Sequence, residues 1–229
     1  MLGGNDMKKK EILILLVLAG LLCFSLGYDY FKNRLPKPEV TTGQRGDLGI
    51  DKHVNEKTID KYLGREDSVY RDVRMLDDPA DYKSIGGDSK LSGFVEGFEV
   101  ISLPYIIPVS NLPEAVGETY NGDTLFSRND KGNYVPNYEE SLDILEYYFP
   151  KDKNIFIMCG GGGYAGMMKT LLVDLGWDEN KIYNVGGYWF YEGKHNVKVK
   201  EKVNGKTKYN FWKVNYHNID FDSLTKINE

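Results

Sequence analysis

One cysteine stands directly before a run of glycines. Cys159 is followed by the four glycines 160–163, after an apolar stretch and before a segment with helical periodicity. Each glycine costs about 0.5–1 kcal/mol in regular structure, but a glycine loop lets successive backbone N–H groups converge on one point. At a helix N-terminus those groups are unpaired, and the helix dipole favours negative charge. The pattern therefore predicts a cradle that would stabilise the Cys159 thiolate or a persulfide anion.

Two other chemistries fit parts of the same loop less well. Gly161, Gly163 and Gly166 spell the G-x-G-x-x-G pattern of dinucleotide sites, but the next predicted strand ends in Val-Gly-Gly, without an acidic residue to hold the ribose. A cysteine phosphatase would need an arginine that closes the loop, and no Arg or Lys lies between Cys159 and Met168. An inert cysteine beside a flexible loop remains the structural alternative.

The N-terminus has the pattern of an export signal. Lys8–Lys10 precede a 16-residue apolar run, Ile12–Gly27. This run is shorter than the about 20 residues that a spanning helix needs. Two interpretations stay open: a signal peptide cleaved after Ser25–Gly27, or a retained transmembrane anchor extended by the aromatic residues that follow. In both, the remainder of the chain lies outside the cytoplasm, at the cell membrane or secreted.

The composition limits the partners of the exported part. The chain has a net charge of −5, and its sequence shows no basic stripe that offsets this charge, which argues against a nucleic-acid partner. The three histidines have no metal-ligand spacing, so no metal site is expected. No other cofactor is predicted. Because Cys23 lies in the apolar run, Cys159 has no disulfide partner in the exported part and is either buried and inert or reactive.

Strand and helix patterns alternate along the middle of the chain. Predicted strands are Ser68–Val73, Phe98–Leu103, Ile155–Met158 and Lys181–Val185. Predicted helices are Glu56–Gly64, a segment that begins at Asp78, Asn137–Pro150 and Ala165–Gly176. This alternation predicts βαβ units and a parallel α/β sheet.

The flanking segments suggest a division of the chain. The predicted parts are residues 1–27 (signal peptide or anchor), 28–49 (polar linker), 50–193 (folded domain, with an irregular insertion at 105–137) and 194–229 (C-terminal hairpin and tail). The hairpin is indicated by Asn204-Gly205, which lies between two β-rich runs. Its position after the alternating elements predicts an appendage.

The segment from Cys159 to Gly193 resembles the active-site half of rhodanese-like domains, a family of sulfurtransferases. The shared pattern is a cysteine that opens a six-residue loop, a helix that ends in Leu-Gly, a short strand, and a Gly-Gly pair with a nearby tryptophan. The residues that carry this pattern are Cys159 to Tyr164, Leu175-Gly176, Gly186-Gly187 and Trp189. The preceding half is similar more loosely, through YRDVR and GFVEGFEVISLP, so that the resemblance covers about residues 50–193.

The resemblance implies a five-stranded parallel sheet with helices on both faces. It also implies a ping-pong sulfur transfer without a cofactor. Cys159 would take a sulfane sulfur from a small donor, carry it as a persulfide, and pass it to a thiol or cyanide-like acceptor. The implied backbone N–H cradle consists of Gly160, Gly161, Gly162, Gly163 and Tyr164. The implied supporting and pocket residues are Asp72, Arg74, Gly186, Gly187 and Trp189.

The sequence departs from the family in ways that leave the sulfur donor open. Members that use thiosulfate commonly carry a basic loop residue, often where Tyr164 stands, and this loop has none. The family's Gly-His-Ile turn is also absent around residues 86–97. We predict that Tyr164, Tyr188 and Trp189 wall a donor pocket. The alternative function is a rhodanese-fold binding module without turnover, which would hold a small anion or a protein partner.

Overall fold

The computed structural model describes residues 14–22, 34–75, 93–109 and 120–227. The strands are β1 (Ser68–Asp72), β2 (Gly93–Val95), β3 (Glu99–Ile101), β4 (Phe126–Arg128), β5 (Tyr134–Pro136), β6 (Asn154–Cys159), β7 (Ile182–Gly187), β8 (Asn196–Lys198), β9 (Lys200–Val203), β10 (Lys206–Tyr209) and β11 (Tyr216–His217). The α-helical segments are α1 (residues 14–22), α2 (Leu103–Ile106), α3 (Ser141–Tyr148) and α4 (Gly163–Asp174). Short 3-10 helices cover Gln44–Leu48, Ile59–Lys61, Glu179–Lys181, Tyr188–Phe190, Phe211–Lys213 and Phe221–Ser223.

A five-stranded sheet forms the centre of the fold, in the order β11-β3-β1-β6-β7. Every neighbouring pair in this sheet is parallel. β6 and β7 are buried along almost their whole length, as expected for parallel strands that are covered on both faces. The predicted α/β class with a five-stranded parallel sheet is therefore confirmed.

Helices α3 and α4 cover one face of this sheet. Ile155 and Ile157 of β6 belong to one core cluster with Leu145 of α3 and with Leu171 and Leu172 of α4. The strand residues are two apart and therefore point to the same face of the sheet. Each of these side chains contributes about 1.5–3 kcal/mol through its removal from water. Packing of α4 on β6 fixes the position of the loop that joins them.

The opposite face of the sheet is aromatic. Phe156 stacks on Tyr70 and on Tyr183, with ring centroids 5.1 Å and 4.9 Å apart. The hydroxyl group of Tyr70 donates to the carbonyl group of Tyr62, which brings residues 50–64 over this face.

The predicted helix Glu56–Gly64 is wrong in type. The segment contains only the 3-10 helix Ile59–Lys61, between turns. The hydroxyl group of Thr58 donates to the carbonyl of His53 at 2.7 Å and accepts the backbone N–H of Asn55 at 3.0 Å. Such bonds from a side chain to the nearby backbone favour turns over an α-helix, so this face is not covered by the helix that the sequence suggested.

The compact unit begins earlier than the sequence suggested. It starts at Lys37 rather than near Ile50. The backbone N–H of Thr41 donates to the carbonyl of Ile50 at 2.9 Å, and the 3-10 helix Gln44–Leu48 follows. The interpretation of residues 28–49 as a linker is therefore wrong from Lys37 onward. Because hydrogen bonds hold this segment in place, its sequence shows no apolar periodicity that would have predicted an ordered structure.

The C-terminal segment is built into the domain rather than appended to it. The predicted hairpin is present as β9 and β10, joined by Asn204-Gly205 with φ angles of 52° and 77°. However, β8 pairs with β2, and β11 forms the edge of the central sheet beside β3. The prediction of an appendage is corrected accordingly. A two-residue strand such as β11 carries no sequence pattern of its own.

The irregular residues 105–137 take part in the core where they are described. β4 and β5 pair as a small antiparallel hairpin. Leu125 and Phe126 are completely buried in the same core cluster as α3 and α4. The backbone N–H of Leu125 donates to the carbonyl of Tyr105 at 3.0 Å, which ties the start of the segment to the residue before β4.

The N-terminal apolar run is helical over residues 14–22. None of the helices in the described ranges combines the length and the apolar character that a membrane span requires. Three predictions fall outside the described residues: the cleavage site at Ser25–Gly27, the position of Cys23, and the helix that begins at Asp78.

Candidate active site

Cys159 is the last residue of β6, at the carboxyl edge of the parallel sheet. β1 and β7 end beside it, since Asp72 pairs in register with Met158, and Cys159 pairs with Gly187. Ligand sites of open α/β sheets lie at this edge, where several strand ends converge. The topology therefore brings Asp72 and the Gly186-Gly187 pair to the cysteine, although they are distant in sequence.

The glycine loop turns its backbone toward the sulfur of Cys159. The N–H of Gly162 donates to Cys159 Sγ at 3.0 Å. Gly162 has a φ of 108°, in the left-handed region that favours glycine, and α4 begins at the next residue. The sulfur thus lies at the N-terminus of a 12-residue helix, as the sequence predicted. The cradle is therefore formed by residues that are adjacent in the sequence, and its backbone conformation favours a glycine at position 162.

Burial of the sulfur opposes its ionisation. The Cys159 residue is 3% exposed. Burial raises the pKa of the Cys159 thiol above its ordinary value, and the Asp72 carboxylate acts in the same direction. The backbone N–H groups of Ala165, Gly162 and Gly161 lower this pKa without reversing the shift. The cradle alone therefore does not make Cys159 a thiolate in the closed structure.

Asp72 and Arg74 form a buried ion pair beside the cysteine strand. Arg74 Nε lies 3.0 Å from both carboxylate oxygens of Asp72, and Arg74 Nη2 lies 2.6 Å from Oδ2. The guanidinium stands over the rings of Phe94 and Tyr188, at 4.4 Å and 4.7 Å from their centroids, and donates to the Gly93 carbonyl at 3.1 Å. Because its charge is paired with Arg74, the Asp72 carboxylate supports the end of β1 and is poorly suited to act as a general base.

Gly187 and Trp189 pack directly on the loop. A side chain at Gly187 would place its Cβ 2.1 Å from the Gly160 carbonyl oxygen, so only glycine allows this approach. The N–H of Trp189 donates to the same carbonyl at 3.1 Å. The Trp189 indole covers Gly160, where an added Cβ would lie 2.4 Å from the ring, and it borders Gly161 at 3.3 Å. Trp189 is therefore a lid residue of the loop.

An arginine that the sequence analysis missed braces the outer side of the loop. Arg45 donates to the carbonyl oxygen of Gly161 from Nε at 3.1 Å and from Nη2 at 2.7 Å. Its Nη1 pairs with Glu56 at 2.8 Å, and its guanidinium stands 3.5 Å from the centroid of the Phe190 ring. Glu56 in turn accepts the N–H of Gly187 at 3.4 Å. The loop sequence has no basic residue, and Arg45 supplies one from another segment. Its guanidinium, however, binds the backbone carbonyl of Gly161.

Asn184 is a second residue that the sequence analysis missed. Its side-chain amide donates to the carbonyls of Leu48 and Gly162, at 2.8 Å and 3.1 Å. Its side-chain oxygen accepts the N–H of Gly186 at 2.9 Å. One completely buried side chain therefore connects the N-terminal 3-10 segment, the glycine loop and the end of β7. The sequence did contain a signal for this role, because Asn184 lies within the predicted strand KIYNV. Asparagine is disfavoured in a buried strand unless its side chain has hydrogen-bond partners.

The three aromatic residues predicted to wall a donor pocket have different surroundings. Tyr164 lies in the first turn of α4 and is buried in the core cluster. Tyr188 lies against Arg74, and its hydroxyl group bonds to Asn196 at 3.1 Å. Only Trp189 among them covers the loop glycines, so the donor pocket stays a prediction.

Comparison with known proteins identifies no relatives of this chain. No family model matches it, and no significant match was found among the curated proteins or the solved structures. In the described part of the chain, no three His, Cys, Asp or Glu side chains cluster as metal ligands.

Proposed function

We propose that the protein is a rhodanese-like sulfurtransferase that acts through Cys159. The observation that carries this proposal is the hydrogen bond from the Gly162 N–H to Cys159 Sγ, at a strand end that faces a helix N-terminus. Donors in this arrangement stabilise negative charge on sulfur, which both a thiolate and a persulfide carry. The parallel α/β sheet and the contacts of Trp189 and Gly187 with the loop are compatible with the resemblance seen in the sequence.

The proposed reaction has two steps. The Cys159 thiolate attacks the outer sulfur of a sulfane donor, so that a new S–S bond forms and the donor fragment leaves with the electron pair of the broken bond. A nucleophilic acceptor, a thiolate or cyanide, then attacks the terminal sulfur and releases Cys159 as a thiolate. No net oxidant is required, because the sulfane sulfur is transferred at its own oxidation level.

The raised pKa of Cys159 sets a condition on the first step. The thiol must lose its proton to solvent before attack, and burial works against that loss. We therefore expect the rate of persulfide formation to rise with pH through the alkaline range rather than to level off near neutrality. The absence of a basic loop residue favours a low-charge donor, such as an organic persulfide, over thiosulfate.

We also propose that the protein is anchored at the cell membrane by its N-terminal segment, with the domain outside the cytoplasm. Lys8–Lys10 and the apolar run Ile12–Gly27 support this location, as they support secretion after cleavage. The choice is decided by the N-terminal sequence of the protein recovered from membrane and soluble fractions.

A binding module without turnover is the second candidate, and one observation favours it. The sulfur of Cys159 is almost completely buried, beneath a loop held by Arg45 and covered by Trp189. A closed loop of this kind suits recognition by the outer surface more than access of a donor to the sulfur.

The experiment that separates the two is the intact mass of residues 37–229 after incubation with a sulfane donor. Cys159 is the only cysteine in this segment, which forms one compact unit. Thiosulfate and a low-molecular-weight persulfide are tested separately, with Cys159→Ser as the matched control. The sulfurtransferase gains one sulfur atom, loses it on treatment with cyanide, and shows no gain in the variant.

The outcome with each donor is informative. A gain with the organic persulfide alone agrees with the uncharged loop. If neither donor modifies a folded protein whose thiol still titrates, the sulfurtransferase proposal fails and the binding module replaces it.

A further inference from the structure

The C-terminal hairpin has a charge opposite to that of the remaining chain. Residues 196–213 contain six lysines and one glutamate, a net charge of +5. Since the whole chain has −5, all other residues together carry −10. The basic character was not visible as a stripe in the sequence, because valines and threonine interrupt the lysines. In the folded protein these lysines are gathered on β8, β9, β10 and the 3-10 helix that follows.

Five of the six lysines of this basic hairpin, defined as residues 196–213, are exposed to solvent, and Lys200 is half-buried. Lys206 and Lys208 are exposed and lie on one face of β10, since they are two residues apart in this strand. Lys198 and Lys202 are exposed as well. Only one glutamate interrupts this field, so the hairpin presents a strong positive potential.

An unusually exposed tryptophan accompanies these lysines. Trp212 is 89% exposed, whereas the neighbouring Phe211 stacks on Tyr209 at 6.0 Å and packs on a small core cluster. An indole ring that stays in water contributes none of the free energy that its burial could supply. Indole rings and lysine side chains together are typical of surfaces that dock at the headgroup level of a bilayer.

We propose that the basic hairpin docks on the surface of a bilayer that contains anionic phospholipids. The lysines would bind the headgroup phosphates, and Trp212 would insert its ring at the interface. The negative charge of the remaining chain is repelled by the same surface, so the hairpin is the part that faces it. This proposal is independent of the chemistry at Cys159.

The bilayer is favoured over other polyanions by two features. Trp212 is the single fully exposed aromatic side chain of residues 196–213, whereas sequence-tolerant binding of single-stranded nucleic acid uses several exposed rings for stacking. The N-terminal run Ile12–Gly27 would also hold the chain at a membrane by connectivity, so that a weak electrostatic contact is sufficient.

The test measures partition of residues 37–229, without the apolar run, onto lipid vesicles. Vesicles of phosphatidylcholine are compared with vesicles that also contain phosphatidylglycerol, at low and at high salt. The fluorescence of Trp212 gives a second readout, since Trp177 is buried and Trp189 is half-buried. We expect binding to the anionic vesicles only, weakened by salt, with a blue shift of the emission.

Two variants localise the effect. Charge reversal by Lys206→Glu and Lys208→Glu lowers the partition coefficient by tenfold or more, since each lysine near an anionic surface contributes about fivefold. The matched control reverses the exposed Lys57 and Lys61, which lie outside the hairpin, and changes partition much less. Trp212→Phe removes the blue shift.

Three results would overturn the proposal. They are a failure of the anionic vesicles to bind the wild-type unit, equal losses in the hairpin and control reversals, and a blue shift that survives Trp212→Phe. Binding to a single-stranded oligonucleotide without binding to the vesicles would also overturn it and would assign the hairpin to nucleic acid.

Discussion

Two arginine–carboxylate pairs flank the cysteine loop, and they differ in reach and in burial. Asp72 and Arg74 are two residues apart at the end of β1, with side chains 0% and 7% exposed. Arg45 and Glu56 come from the segment before β1, with side chains 27% and 8% exposed. The first pair lies beside the cysteine strand, whereas the second holds the Gly161 carbonyl on the outer side of the loop.

The difference indicates two kinds of support. The first pair is closed over two residues, and its guanidinium lies against two aromatic rings. It stabilises the strand end, because breaking the pair would leave a buried charge without a partner. The second pair joins separate segments, and its arginine is 27% exposed, so that water can replace some of the hydrogen bonds of Arg45 and the pair can be loosened at lower cost. We therefore expect Arg74 to determine stability, and Arg45 to determine how closely the loop surrounds the sulfur.

The largest effect is expected from Arg74→Leu. This change leaves the completely buried Asp72 carboxylate without its partner, which costs about 3–5 kcal/mol of unfolding free energy. Urea unfolding followed by circular dichroism measures the loss. Arg74→Lys keeps the charge but not the planar fork and should lose less. A loss below about 1 kcal/mol for the leucine variant would remove the distinction between the two pairs.

Arg45→Leu should have a smaller effect on stability and a larger one on the cysteine. Loss of hydrogen bonds to the Gly161 carbonyl and to Glu56 costs about 1–3 kcal/mol. Freed from its brace, the loop should let a thiol reagent reach Cys159 about tenfold faster, a local opening of about 1.4 kcal/mol. Arg65→Leu is the matched control, because Arg65 pairs with Asp67, a partly exposed partner within its own turn. An unchanged labelling rate for Arg45→Leu contradicts its role as a brace.

Two neighbouring glycines test the packing of the loop between these pairs. Gly160→Ala places a Cβ 2.4 Å from the Trp189 ring and should lower the unfolding free energy by about 1–3 kcal/mol. Gly161→Ala meets the same ring at 3.3 Å and should cost less than about 1 kcal/mol. Thermal unfolding of both variants compares the two positions, and equal losses would show that Trp189 does not cover the loop.

The smallest effect is a pH dependence that arises from Cys159. Because burial raises the pKa of the folded thiol, the folded state keeps its proton at a pH where the unfolded chain has lost it. Stability is therefore present below the unfolded pKa of about 8.5 and decreases as the pH rises above it, by at most about 1.4 kcal/mol per pH unit. The difference in unfolding free energy between the wild type and Cys159→Ala isolates this group from the tyrosines. A difference that is constant from neutral to alkaline pH argues against a raised pKa.

The local chemistry of the site was predictable from neighbouring residues. The strand Ile155–Met158, the glycines after Cys159 and the helix that follows are contiguous, so their order alone predicts a sulfur at a helix N-terminus. Asp72 and Arg74 were also proposed as supporting residues, and the structure places them beside the cysteine strand. The hairpin at Asn204-Gly205 was predicted because its turn needs positive φ at both positions.

The long-range contacts were not predictable in the same way. Arg45 and Gly161 are 116 residues apart and meet through a carbonyl group, which every residue has. β11 pairs with β3 over two residues, too few to show a pattern. Turns and one 3-10 helix replaced the predicted helix Glu56–Gly64, because the Thr58 side chain bonds to the nearby backbone of His53 and Asn55.

The sequence by itself determined the α/β class, the parallel sheet and a cysteine held at the start of a helix, because each depends on periodicity or on adjacent residues. Only the tertiary structure decided how closed the site is, which segments brace it, and where the positive charge gathers. These properties depend on burial and on contacts between distant segments. The same burial raises the pKa of the thiol that the loop sequence alone would have predicted to be lowered.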